Sequence, residues 1–252
     1  MPRKAATHIL RSTSPIPTAA NPIGLKYPGT TISHGENWVR QIRCYSGLST
    51  NVSPPKVGVL TTKANNSLIL TWDYAISGNQ VPGVAKQVEQ QFIQTAGTKP
   101  SYCPWSSKTS LFATWIGIND VNRGVLPDRL VQLFQLQDEL YTTGARNFLF
   151  LNIPPFDRSP GGNYSTQVKE QISIWNNALP GHIKNFTATH VNTTAFLFDT
   201  QALWNEFYAN PAAFNITDPD VKGGGLWYDD YHPSTAIQEV IGQRVASFLV
   251  AK

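Results

Sequence analysis

Gly144-Ala-Arg-Asn-Phe-Leu-Phe-Leu-Asn-Ile-Pro-Pro155 is the stretch that decides the fold. A helical pattern from Asp128 to Thr143 runs into Gly144, which stands in the C′ position and stops it. Arg146 to Ile153 then reads as a strand, ended by Pro154-Pro155. Toward the C-terminus, Ser165 caps a helix carrying Val168, Ile172, Trp175 and Leu179. Thr194 to Phe198 reads as another strand, followed by a helix from about Thr200 to Tyr208. The last helix starts near Pro233 and puts Ile237, Val240, Ile241, Val245 and Phe248 on one face.

The same alternation runs toward the N-terminus. Ser110 to Ile118 reads as a strand, and Val81 to Ala96 as a helix on the spacing of Val84, Val88 and Phe92. Ser67-Leu-Ile-Leu-Thr-Trp-Asp-Tyr-Ala75 reads as the first buried strand. Residues 1–40 are loop-like, rich in Pro, Thr and Ser, with one short apolar pair at Ile9 and Leu10. Strands alternating with helices predict an α/β, three-layer sandwich, with a central parallel sheet covered on both faces. No repeat or low-complexity linker divides the chain, so one domain over 16–252 follows an atypical segment, 1–15.

Composition narrows the function classes. Charged residues are 14% of the 252, against about 25% in ordinary soluble proteins. N-x-[ST] occurs at Asn51, Asn65, Asn163, Asn185, Asn192 and Asn215. A charge-poor surface with six glycan acceptors points to secretion. The expected bridge between Cys44 and Cys103 fits an oxidising compartment, and two buried thiols are the alternative. Met1-Pro-Arg-Lys has the basic start of a leader with no apolar stretch behind it, which conflicts with that reading. The net charge of +4 comes from scattered Lys and Arg, with no basic run interleaved with aromatics, so no nucleic-acid partner is expected. No apolar run reaches the 18 or so residues of a membrane span. A monomer with no membrane partner is the expectation.

In such sheets the chemistry sits at the carboxyl ends of the strands. Asp73 to Asn79 with Gly78, Gly117-Ile-Asn-Asp120, and Asp229-Asp-Tyr-His-Pro-Ser234 are therefore the segments that matter. His232 can act as a base, and an acid three residues earlier can orient its ring. The Asn119 amide and the Gly78 backbone N–H can face a developing oxyanion. Each has a plain alternative: turn residues for Gly78, Gly117 and Asn119, and a helix-capping pair for Asp229 and His232. No second His or Cys stands at metal-ligand spacing beside His232, so neither a metal nor a cofactor is expected. Trp105, Trp204 and Trp227 read either as sugar-stacking rings or as packing.

Together these segments resemble the SGNH (GDSL) hydrolases, closely their fungal secreted acetylesterase branch, over roughly residues 15–250. The matching parts are Asn21-Pro-Ile-Gly, Tyr27-Pro-Gly with Gly35-Glu-Asn-Trp38, Trp115-Ile-Gly-Ile-Asn-Asp120, Gly144 to Pro155 with Asp157-Arg-Ser159, and Asp229 to Ser234. The resemblance implies a flavodoxin-like SGNH fold and removal of short acyl groups, such as acetyl on carbohydrate, by serine acyl-enzyme chemistry. It implies His232 as general base, Asp229 as its partner (Asp230 being the neighbouring alternative), and Asn119 and Gly78 as oxyanion donors. His8, His34, His182 and His190 match no family motif and read as surface or loop residues.

The chain departs from the family in one place. The family nucleophile lies in Gly-Asp-Ser after the first strand, and no Gly-Asp-Ser occurs here. Ile9-Leu-Arg-Ser-Thr-Ser14 falls in its place, with Ser12 under the serine and Leu10 and Arg11 where Gly and Asp belong. The strand before it is short or absent, and its loss is expected to leave a slot beside the sheet. A wrongly joined first exon and a true loss of the nucleophile both account for this. A catalytically inactive, glycan-binding remnant is therefore the alternative to an esterase.

Overall fold

The computed structural model describes residues 16, 18, 31–39, 72–124 and 128–252. Among the described residues three strands form the sheet: β1 (Phe112–Thr114), β2 (Asn147–Leu151) and β3 (Thr194–Phe198). Their order is β1-β2-β3 and both pairings are parallel, with Phe112 opposite Phe148 and Phe150 opposite Leu197. β3 has the bounds expected from sequence.

Side chains of β2 alternate between two cores, because successive residues of a strand point to opposite faces. Phe148 and Phe150 enter one core, and Leu149 and Leu151 the other. The first core is closed by three helical segments. They are α1 (Val81–Ala85), which runs on as a π-helix over Lys86–Ile93, then α3 (Arg129–Thr142) and α4 (Thr166–Thr189). The second is closed by α5 (Thr200–Ala209) and α6 (Thr235–Val250). Two apolar layers around one sheet make the three-layer sandwich that alternation predicted. A five-residue helix, α2 (Ile118–Asn122), follows β1 directly.

Several local signals act as read. Gly144 takes φ +106 behind α3, and the Ser165 hydroxyl accepts the Val168 N–H at the start of α4. Ser234 does the same for α6 by accepting the Ile237 N–H. Helix α4 runs ten residues beyond the expected Leu179, straight through Pro180. The missing Pro N–H removes one hydrogen bond, while Ile183 and Phe186 bury themselves in the core beyond it.

Other expectations are corrected. The strand expected to reach Ile118 stops at Thr114, because Gly117 takes φ +114 and opens α2. The buried strand expected over 67–75 is not formed at Trp72–Ala75, and 67–71 lie outside the described residues. Asp73 Oδ1 accepts the Ala75 N–H at 3.0 Å, a local turn bond that competes with a sheet ladder. Among the described residues β1 pairs with β2 alone. A cavity of about 310 Å³ runs along β1, lined by Phe112 to Ile116 and facing Trp72, Tyr74 and Ile76. Among the described residues no strand pairs with β1 on this side.

The thiols also differ from expectation. Cys103 is a free, buried thiol, so the bridge to Cys44 is not formed, and Cys44 itself lies outside the described residues. Burial pushes the Cys103 thiol up to about 12, against a smaller opposing pull from the Trp105 backbone N–H. No helix among the described residues is long and apolar enough to cross a membrane.

Candidate active site

The Asp229–His232 pair is built by a tight hairpin. Trp227 bridges antiparallel to Pro233, and the Tyr228 N–H donates to the His232 carbonyl at 2.8 Å. Within the turn, Asp229 Oδ1 accepts the backbone N–H of Tyr231 at 2.9 Å and of His232 at 2.8 Å. The same carboxylate meets His232 Nδ1 at 2.9 and 3.0 Å. Three residues of spacing are what let one side chain cap the turn and orient the ring. The helix-capping alternative is corrected: Ser234, not Asp229, caps α6, and Asp229 instead closes its own turn while contacting the His232 ring.

Burial raises the Asp229 carboxyl, but the two backbone N–H groups and the imidazole outweigh it and hold the group below the usual carboxylate range. The carboxylate therefore stays ionised at neutral pH. His232 is 43% exposed at its side chain, and with Nδ1 turned to Asp229 its Nε2 is the ring nitrogen left for a substrate or nucleophile. Asp230 instead directs its carbonyl to the Gly161 N–H at 2.7 Å. That bond ties the hairpin to the loop following β2.

Gly78 and Asn119 come from two turns stitched together. The Asn79 N–H donates to the Ile76 carbonyl at 3.2 Å, and Gly78 takes φ +76 at the third position, the type II arrangement that wants glycine there. Asn119 Nδ2 donates to the Asn79 carbonyl at 3.0 Å, and Gln80 Nε2 returns to the Asn119 carbonyl at 3.4 Å. An amide nitrogen carries two N–H groups, so this bond fixes the Asn119 side chain and leaves one donor. Gly117 is equally constrained. A Cβ there would lie 2.7 Å from the Trp175 indole and 2.9 Å from Ile153. Ile153 follows β2, so the turn after β1 packs against the end of β2.

Three residues whose part in this edge was not read from sequence hold it together. Asp120 is fully buried, accepts the Val81 N–H at 3.2 and 3.3 Å, and pairs with Arg129 at 3.2 Å. It stood in view within Gly117-Ile-Asn-Asp120, but only as part of a motif. Burial raises its carboxyl, with the Val81 N–H and Arg129 pulling the other way. Asn152 Oδ1 accepts the Thr200 N–H at 2.7 Å and Nδ2 donates to Asp199 at 2.8 Å, joining the ends of β2 and β3. Asn176 pairs with both backbone groups of Ile153, at 2.9 and 2.8 Å. A polar residue closing an apolar strand, as Asn152 does, is the signal that would have marked it.

The remaining candidates separate clearly. Ser12 and His8 lie outside the described residues. His34 is exposed, with its ring edge-on to Tyr228 at 5.8 Å. His182 stacks on Phe134, and His190 caps α4 through the Phe186 carbonyl at 2.9 Å, so both pack rather than stand free as surface residues. Trp105, Trp204 and Trp227 are buried, which removes them as sugar-stacking rings. Trp105 and Trp227 instead donate their indole N–H to the Ala96 and Pro219 carbonyls. Among the described residues no group of three His, Cys, Asp or Glu is placed to hold a metal ion.

Comparison with known proteins identifies the family. The chain is 31% identical over 261 aligned residues to an acetylesterase of Thermothelomyces thermophilus, covering 91% of this chain and 80% of that protein. It is 29% identical over 175 residues to the thermolabile hemolysin of Vibrio parahaemolyticus serotype O3:K6, covering 62% of this chain and 40% of that protein. The profile of the GDSL-like lipase/acylhydrolase family matches residues 29–245, so the chain belongs to that family of ester hydrolases.

Proposed function

We propose that the protein removes acetyl or similarly short acyl groups from carbohydrate esters, with His232 as general base and Asp229 as its orienting acid. The observation that carries this is the Asp229–His232 contact of 2.9 Å within a carboxylate already held by two backbone N–H groups. His232 Nε2 takes the proton of the attacking serine hydroxyl as oxygen bonds to the acyl carbon, and returns it to the departing alcohol. Water then adds to the acyl-enzyme with the same base, and the acid is released. The Gly78 backbone N–H and the second N–H of Asn119 are the donors for the oxyanion. The similar acetylesterase supports the acetyl group, and the resemblance of the motifs to the fungal acetylesterase branch supports the carbohydrate.

Secretion with attached glycans belongs to the same reading. Asn163, Asn185, Asn192 and Asn215, the four acceptors among the described residues, are all exposed.

The nucleophile is the open position, and Ser12 is its candidate in the chain as it stands. Without Gly-Asp-Ser to present a hydroxyl, turnover of a chromogenic acetyl ester is expected to be low and unchanged by Ser12→Ala. Clear turnover abolished by both Ser12→Ala and His232→Ala would make Ser12 the nucleophile. Turnover indifferent to His232→Ala would contradict the assignment of the base.

A further inference from the structure

Arg158 ends the single helical turn Phe156–Arg158 that follows β2. Its Nη2 faces Asp220 Oδ1 at 3.2 Å, and its guanidinium carbon lies 3.3 Å from the centre of the Tyr208 ring on α5. The Arg158 Nε and the Tyr208 hydroxyl are both buried without a hydrogen-bond partner among the described residues. A buried N–H left unpaired is unfavourable. An ion pair whose side chains are 33% and 34% exposed returns little against that. Stability is therefore a weak reason for an arginine at this place. What the residue does is join two loops.

Both loops lead to the hairpin of His232. On the Asp220 side, Trp227 Nε1 donates to the Pro219 carbonyl at 2.9 Å, the Gly223 N–H donates to the Trp227 carbonyl at 2.9 Å, and Lys222 bridges Trp227. Asp220 thus sits in a loop bonded on either side of it to Trp227, where the hairpin starts. On the Arg158 side, Ser159 accepts the Gly162 N–H with its hydroxyl at 2.9 Å, and the Gly161 N–H donates to the Asp230 carbonyl at 2.7 Å. One short loop after β2 therefore grips the hairpin at its tip through Gly161 and at its root through Arg158. We propose that Arg158 is a positioning residue for His232: stacked on Tyr208 and paired with Asp220, it sets the root of the hairpin against the end of β2. The proposal rests on the assignment of His232 as base. The root matters to the ring because Trp227 carries Tyr228, whose N–H holds the His232 carbonyl at 2.8 Å. A displaced root turns the imidazole away from Asp229. Only a planar cation presents a face to Tyr208 and an edge to Asp220 at once; a lysine ammonium is a point charge and does one or the other.

The tautomer of His232 reads its position without any need for turnover, because the partner of one ring nitrogen decides which nitrogen carries the proton. The intact chain is isotope-labelled at its histidine ring nitrogens and followed by NMR above neutral pH, with the His232 signals assigned by their loss in His232→Gln. With Asp229 at Nδ1, the parent is expected to hold neutral His232 as the Nδ1–H tautomer. Arg158→Lys and Asp220→Asn are each expected to lower that fraction about twofold. The double variant is expected to go no further than the larger single effect, since both act through one contact. Tyr208→Phe, which keeps the ring, is expected to match the parent. Arg244→Lys is the control, since Arg244 pairs with Glu206 at 2.7 Å in another part-exposed ion pair, joining α6 to α5. It is expected to move the thermal midpoint as little as Arg158→Lys does and to leave the tautomer alone. Should Arg158→Lys fail to fold, Asp220→Asn decides. The parent's tautomer kept in both single variants would overturn the proposal and leave the base assignment standing. An equal loss in Arg244→Lys would reduce Arg158 to general stability and overturn it too. A parent that carries the His232 proton on Nε2 would overturn the Asp229 pairing, and the proposal with it.

Discussion

Asp229 does two jobs with one side chain. It closes the turn by accepting two backbone N–H groups and it orients the His232 ring. Its lowered carboxyl pKa couples these jobs to pH. A carboxylate depressed in the folded state stabilises its surroundings above the unfolded value, near 4, and that stabilisation is lost as pH falls through the folded value. Amide protection at Tyr231 and His232 is therefore expected to hold from neutral pH down to about 4 and to vanish below it. In Asp229→Ala it is expected to be absent throughout, as hydrogen exchange read by NMR will show. Protection in the variant equal to the parent's would mean that the turn stands without the carboxylate.

At the scale of elements, Asp120 joins the Gly78 turn to α2. Its carboxylate takes the Val81 N–H at the start of α1 and faces Arg129 at the start of α3, so one buried group fixes three helix starts. Asp120→Ala leaves Val81 without its acceptor and Arg129 without its counter-charge. The expected cost is about 3–5 kcal/mol in a denaturant titration. A loss under about 1 kcal/mol would show that the turns hold each other without it. Local signals made most of these elements legible: Gly144 and Ser165 ended and began helices where read, and β3 fell on its expected residues. What stayed hidden depended on distant partners. Trp72–Ala75 is the exception, undone locally: it is apolar enough for a strand, yet the Asp73 carboxylate takes the Ala75 N–H there. Trp105, Trp204 and Trp227 looked available for sugars until the cores around them were in place.

For the molecule as a whole, the account is that of a GDSL-family sandwich in which His232, Asp229, Asn119 and Gly78 are proposed as base, acid and oxyanion donors, in a sequence that carries no Gly-Asp-Ser. The slot of about 310 Å³ along β1 is where a further parallel strand would pair, and the turns after β1 lie at its carboxyl end. Grafting an apolar strand that ends in Gly-Asp-Ser onto the front of the chain is the most direct test. Turnover of a chromogenic acetyl ester is expected to rise at least about a thousandfold over the parent and to return to the parent's level with His232→Ala. A graft that folds, shown by a raised thermal midpoint, but stays inactive or keeps its activity in His232→Ala would contradict the account.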